Sequence, residues 1–115
     1  MVYEIIQKKK YKIRIQGNHV RIGKNQITIG RVLLKIFNKG KTLEEGKYSN
    51  GIIYFDKENN KLAIEPTDDY LRGYSFNTSN SFQVPRIIKY YNLNLGTFEG
   101  IIKGNMIEID LNHAL

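Results

Sequence analysis

The chain has 115 residues, 41% of them hydrophobic, with five Phe, eight Tyr and no Trp, which suits one domain with a real core. It has no cysteine, so a disulfide framework and a thiolate metal site are excluded. Formal charge is +7, with twelve Lys/Arg against three Glu in residues 1–47 and six against eight Asp/Glu in residues 48–115. A basic half of this kind favours phosphate-bearing partners and also serves solubility. Met1 to Lys10 mixes Glu4 with Lys8, Lys9 and Lys10 before any long apolar run, unlike a signal peptide. No apolar stretch approaches the length that spans a bilayer. A cytoplasmic protein without membrane contact is expected.

Tyr3 and Ile5 begin an extended segment, which Lys8 to Lys10 interrupt. Tyr11 to Ile15 then alternates, with Tyr11, Ile13 and Ile15 on one face and Lys12 and Arg14 on the other. Gln16-Gly17-Asn18 makes a turn. His19 to Ile22 returns as a strand with Val20 and Ile22 inward. Residues 1–22 therefore read as a basic β arm, expected to lie across the remaining fold, to extend its sheet or to hold a partner chain. Lys10, Lys12 and Arg14 form a row of positive heads, each two rises of ~3.3 Å from the next. Arg21 and Lys24 follow on the returning side. A row of this kind tracks phosphates without reading sequence.

Gly23-Lys24-Asn25 turns the chain into Gln26 to Ile29, which alternates like a strand. Val32, Leu33 and Ile36 then recur at helical spacing, predicting a short helix from about Arg31 to Phe37. Asn38 to Lys41 ends it, and Thr42 to Glu45 resembles a cap and one turn. Ile52 to Phe55 and Leu62 to Pro66 read as strands around a wet loop, Asp56 to Lys61. Thr67-Asp68-Asp69 is a linker, and Tyr74 to Asn77 alternates again. Gln83 to Leu93 predicts a second short helix. Pro85 suits its first position, where a missing N–H costs nothing, and Ile87, Ile88 and Tyr91 share a face. Lys103-Gly104-Asn105 is the last turn, Met106, Ile107 and Ile109 end the fold, and Asn112 to Leu115 fray.

The two helical stretches share one plan. Aligning Ile29 with Val84 also pairs Arg31 with Arg86, Val32 with Ile87 and Leu33 with Ile88. Each helix is followed by a glycine (Gly46, Gly96), an aromatic two residues on (Tyr48, Phe98) and a hydrophobic hairpin. Residues 26–66 and 81–110 thus read as two diverged copies of a strand–helix–hairpin unit. The expected fold is mainly β, a small barrel with two short helices and an internal pseudo-two-fold repeat. Its core is expected to hold Val32, Leu33, Ile36, Ile52, Phe55, Leu62, Ile64, Phe76, Phe82, Ile87, Ile88, Tyr91, Ile102 and Ile107.

Motifs of catalysis are missing. His19 lies beside a turn and His113 near the C-terminus, and Asp68 and Asp69 are adjacent, so no metal cluster or acid pair is indicated. No phosphate-cradling loop or nucleophile elbow occurs. The expectation is a protein that is not an enzyme and takes no cofactor and no metal.

Gln26-Ile27-Thr28-Ile29, a short helix, Gly46, Ile52 to Phe55, then Leu62-Ala63-Ile64-Glu65-Pro66 resembles the AbrB-like (SpoVT/AbrB, MazE-type) swapped-hairpin domain. The second copy, from Phe82-Gln83-Val84-Pro85-Arg86 to Ile109, carries the proline that Gly30 replaces in the first. The resemblance covers about seventy residues. It implies a barrel normally built by two chains, here by one, and a transcription regulator that binds double-stranded DNA through basic residues on early strands and loops. By position these include Lys24, Arg31 and Arg86, added to Lys10, Lys12, Arg14 and Arg21 from the charge pattern. The chain departs from the family pattern in three ways: Lys47 and Thr97 follow the mid-domain glycines, the lysine–glycine pair before the first strand is reversed at Gly23-Lys24, and the basic arm is extra. The alternative is a protein-binding accessory, inhibitory or structural protein of a virus or plasmid, acting through the arm on itself as a homodimer or on another protein.

Overall fold

The computed structural model describes residues 17–34, 50–69, 71–76 and 80–115. Their strands are β1 (His19–Ile22), β2 (Gln26–Ile29), β3 (Asn50–Asp56), β4 (Lys61–Thr67), β5 (Tyr74–Ser75), β6 (Ser81–Gln83), β7 (Gly96–Lys103) and β8 (Met106–Ala114), with one helix, α1 (Pro85–Tyr90). The strands form one antiparallel sheet in the order β5-β3-β4-β8-β7-β1-β2-β6. Its two edges approach through a bridge between Phe76 and Phe82, whose rings lie 4.8 Å apart. The result is a nearly closed barrel, the mainly β architecture expected from the alternating segments. Closure removes the unpaired backbone groups that an open edge would expose.

One face of every strand except β5 supplies the interior. Val20, Ile22, Ile27, Ile29, Leu62, Ile64, Phe82, Phe98, Ile107, Ile109 and Leu111 are all buried. Most alternate with exposed or half-exposed neighbours, as a sheet with one wet face requires. Phe82 is fully buried, and a Cβ built on Gly51 would lie 2.6 Å from its ring. Glycine at position 51 therefore makes room for the phenylalanine.

The hairpin β1–β2 sits between β7 and β6, strands from the other end of the chain. Strand pairing maps onto itself when β1, β2, β3 and β4 are exchanged with β5, β6, β7 and β8. Val20 opposite Phe98 and Arg21 opposite Thr97 have images in Tyr74 opposite Gly51 and Ser75 opposite Asn50. Ile22 opposite Ile27 has its image in the Phe76–Phe82 bridge. Tyr54–Ala63 and Phe55–Leu62 correspond to Ile101–Glu108 and Ile102–Ile107. Two pairs are their own images, Ile27 with Phe82 and Ala63 with Glu108.

Several local expectations are met for identifiable reasons. Pro85 opens α1, and its last turn closes on Asn92 at φ 50°. The Leu93 and Asn92 amides donate to the carbonyls of Ile88 and Lys89 at 3.0 and 3.2 Å, a Schellman closure with Leu93 and Ile88 both buried. Lys103 faces Met106 across a two-residue turn, with Gly104 at φ 61°. The wet loop after β3 is held by Asp56, whose carboxylate accepts from the Asn59 amide and side chain at 3.2 and 2.8 Å.

Other expectations are corrected. Val32, Tyr91 and Ile102 are not core; they are 48%, 46% and 47% exposed. Arg31 to Leu34 form turns, anchored by the Val32 and Leu33 amides on the Gly17 carbonyl at 2.8 and 3.0 Å. This puts Leu33 inward and leaves Val32 over Gly17 at the rim. Tyr91 caps α1, and Leu93 takes the buried place. Ile102 lies at the hairpin tip, beyond the cover of the opposite wall. The C-terminal residues do not fray: β8 runs to Ala114, Leu111 is buried, and the Leu115 amide donates to the Thr97 carbonyl at 2.7 Å. A bulge between Phe98 and Gly100 makes this pairing fit. The end of the expected arm, His19–Ile22, is an interior strand with neighbours β2 and β7 on both sides, so it offers no edge to a partner. The rest of the arm, and the helical expectations at residues 35–49 including Ile36, lie outside the described residues.

Candidate nucleic-acid interface

The strand pairings sort the charges by wall. Residues 17–34 and 80–95 build β1, β2, β6 and α1, and they contain Arg21, Lys24, Arg31, Arg86 and Lys89 with no Asp or Glu. All five cations are exposed, and none is in an ion pair among the described residues. The opposite wall, β3, β4, β7 and β8, carries Asp56, Glu65, Glu99, Glu108 and Asp110 against Lys61 and Lys103.

Part of that second wall is internally compensated, at Glu108, Asp110 and Asp56. Glu108 lies 3.1 Å from Lys103 and 3.4 Å from Lys61, and the Lys103 hydrogen bond holds its carboxyl below the usual range. Asp110 is lowered by the Asn112 amide, with His113 3.7 Å away. Asp56 is lowered by the Asn59 side chain and amide. Charges of this kind are already satisfied and leave little for a ligand.

Each basic residue is placed by its element. Arg21 points outward because Val20 and Ile22 on either side point in; Thr28 and Thr97 flank it across the sheet. Lys24 sits in the β1–β2 turn. The Asn25 carbonyl accepts the Val84 amide at 2.9 Å, so this turn lies beside the start of α1. Gln26 and Gln83 extend the join, their side chains hydrogen-bonded at 2.8 Å. Arg31 lies past the far end of β2, where the Gly30 amide meets the His19 carbonyl. Arg31 and Arg86 therefore stand at opposite ends of the β2–β6 pair, about six strand residues or roughly 20 Å apart. Lys10, Lys12 and Arg14 lie outside the described residues.

Two exposed side chains of this wall escaped the sequence reading. Lys24, Ile88, Lys89, Asn92, Leu93 and Leu95 line an open groove of about 290 Å³ between the turn and α1. Lys89 thus joins Lys24, from which it is remote in sequence. Tyr90 is 82% exposed. On α1, Arg86, Lys89 and Tyr90 fall at i, i+3 and i+4, which makes them neighbours on one helix face, away from buried Ile88. That spacing was the available signal, and it is legible once Ile88 is known to point inward.

Among the described residues no group of His, Asp or Glu could hold a metal ion, and no helix is long and apolar enough to cross a membrane. No family model matches the chain, and neither a curated protein nor a solved structure does so.

Proposed function

We propose that this protein binds DNA through the wall formed by β1, β2, β6 and α1, as a non-enzymatic regulator of transcription built from two diverged swapped-hairpin copies of AbrB type. The observation that carries the reading is the charge segregation among the described residues: five exposed cations and no carboxylate on one wall, five acids against two lysines on the other. Polyphosphate is the ligand that such a wall attracts without an offsetting repulsion. Arg21, Lys24, Arg31 and Arg86 contact duplex phosphates, with Lys89 added, and Lys10, Lys12 and Arg14 extend the same charge along the chain. The register symmetry about Ile27 and Phe82 supports the two-copy reading and relates Arg31 to Arg86. A pair of equivalent arginines on a two-fold suits the pseudo-symmetry of a duplex.

The test is a titration of labelled duplex across salt. Phosphate contact predicts a linear fall of log affinity with log salt, at about 0.9 per phosphate neutralised. Absence of binding at roughly 50 mM salt rejects the proposal.

A further inference from the structure

The rings at the end of α1 have no role in phosphate contact. Phe55 on β3 lies 5.2 Å from Tyr91, and Tyr91 lies 4.8 Å edge-on from Tyr90 at 85°. Exposure rises along the three rings from Phe55 to Tyr90, and the outermost, edge-on against Tyr91, is 82% exposed. Arg86 and Lys89 share its helix face, and Lys24 stands across the groove from Lys89.

A largely exposed aromatic ring that shares a helix face with two cations matches a polyanion that also offers flat apolar groups. In a duplex those groups are already stacked on one another. In a single strand they are free, and each base can stack on a side-chain ring while its phosphates meet lysine or arginine. We infer that the outer face of α1 is a stacking site for an unpaired nucleobase, with Tyr90 as the platform and Arg86, Lys89 and Lys24 holding the adjacent phosphates. The preferred ligand is then DNA with a single-stranded segment. This inference rests on the nucleic-acid reading above and narrows its ligand.

The experiment titrates fluorescein-labelled oligothymidylate and a blunt duplex of equal length against the full chain and its Tyr90→Ala and Tyr90→Phe variants. Tyr90 is exposed, so all three should give the same circular dichroism and melting curve. Stacking predicts that Tyr90→Ala weakens oligothymidylate binding about ten-fold and duplex binding less than about two-fold. Tyr90→Phe, which keeps the ring and loses the hydroxyl, should retain the affinity. Equal losses for both ligands, or none for the single strand, overturn the stacking site. Salt-dependent duplex binding that survives with no effect at Tyr90 overturns this inference alone. Failure of the parent chain to bind either probe, as for a face that docks protein, overturns the nucleic-acid reading with it.

Discussion

The two walls of the barrel are built from the same kind of strand and differ in what their outer faces leave undone. On β3, β4, β7 and β8 the strands are mostly long, and several of their charges meet one another, Glu108 between Lys61 and Lys103 and Asp110 beside His113. On β1, β2 and β6 the strands have four residues or fewer, and the cations on them, in their turns and on α1 are in no ion pair among the described residues. Both walls share one interior. The contrast separates a wall whose acids and lysines meet in part from one whose described charges are all positive, and it teaches that the net charge of this chain matters less than its placement.

Phe82 is where the walls depend on each other. It lies in β6, fills the space above Gly51 in β3 and touches Phe76. Replacing it with Ala should cost ~3–5 kcal/mol, the largest effect expected here, read as a lowered urea midpoint at unchanged slope. Leu33→Ala or Ile88→Ala should cost about 2–5 kcal/mol where the cavity does not collapse. A loss below about 1 kcal/mol at Phe82 means that the walls do not share a core.

Charge reversal sharpens the contrast next. Arg86→Glu with Lys89→Glu should weaken DNA binding at least about ten-fold at low salt and flatten the salt slope by about one unit per lost contact. The matching reversal of Lys61 and Lys103 on the other wall should leave affinity unchanged. If both double variants weaken binding equally, long-range net charge governs association and the basic wall has no special standing.

Smaller effects test the frame that presents α1. Asn92 holds a left-handed conformation at the helix end, so Asn92→Ala should cost roughly 1 kcal/mol while Asn92→Gly is close to neutral. Thermal melts of the pair distinguish this from loss of a side-chain contact, which would destabilise both alike. Smallest is Glu108. Its carboxyl is held low by Lys103, so its contribution is present above the ordinary value of 4.5 and is lost as pH falls through the lowered folded value. For a surface pair this amounts to less than about 1 kcal/mol. Glu108→Gln should remove that part of the acid dependence and leave stability at pH 7 little changed; an undiminished acid transition assigns it to other groups.

What the sequence determined by itself is local. Pro85 starts a helix because its ring presets φ and its missing N–H is not needed there. Gly104 makes a two-residue turn because it accepts positive φ. Alternation at Leu62–Ile64 and Val20–Ile22 marks inward faces because a strand has a period of two. These signals depend on a few neighbouring residues, and the structure repeats them.

The remainder needed the tertiary structure. Periodicity tells which residues share a face and is silent on whether anything covers it. Val32, Tyr91 and Ile102 have the right spacing and stand at rims and tips, whereas Leu93, at the end of its expected helix, and Leu111, past the expected last strand, are not among the expected core and are sealed by the helix end and by the paired C-terminus. The basic wall is likewise a product of pairing. Arg21 and Lys24 come from one end of the chain and Arg86 and Lys89 from the other, and only the insertion of β1–β2 between β6 and β7 puts them on one side of the barrel. That register is decided by the buried face, because a one-residue slip would turn every interior side chain to water.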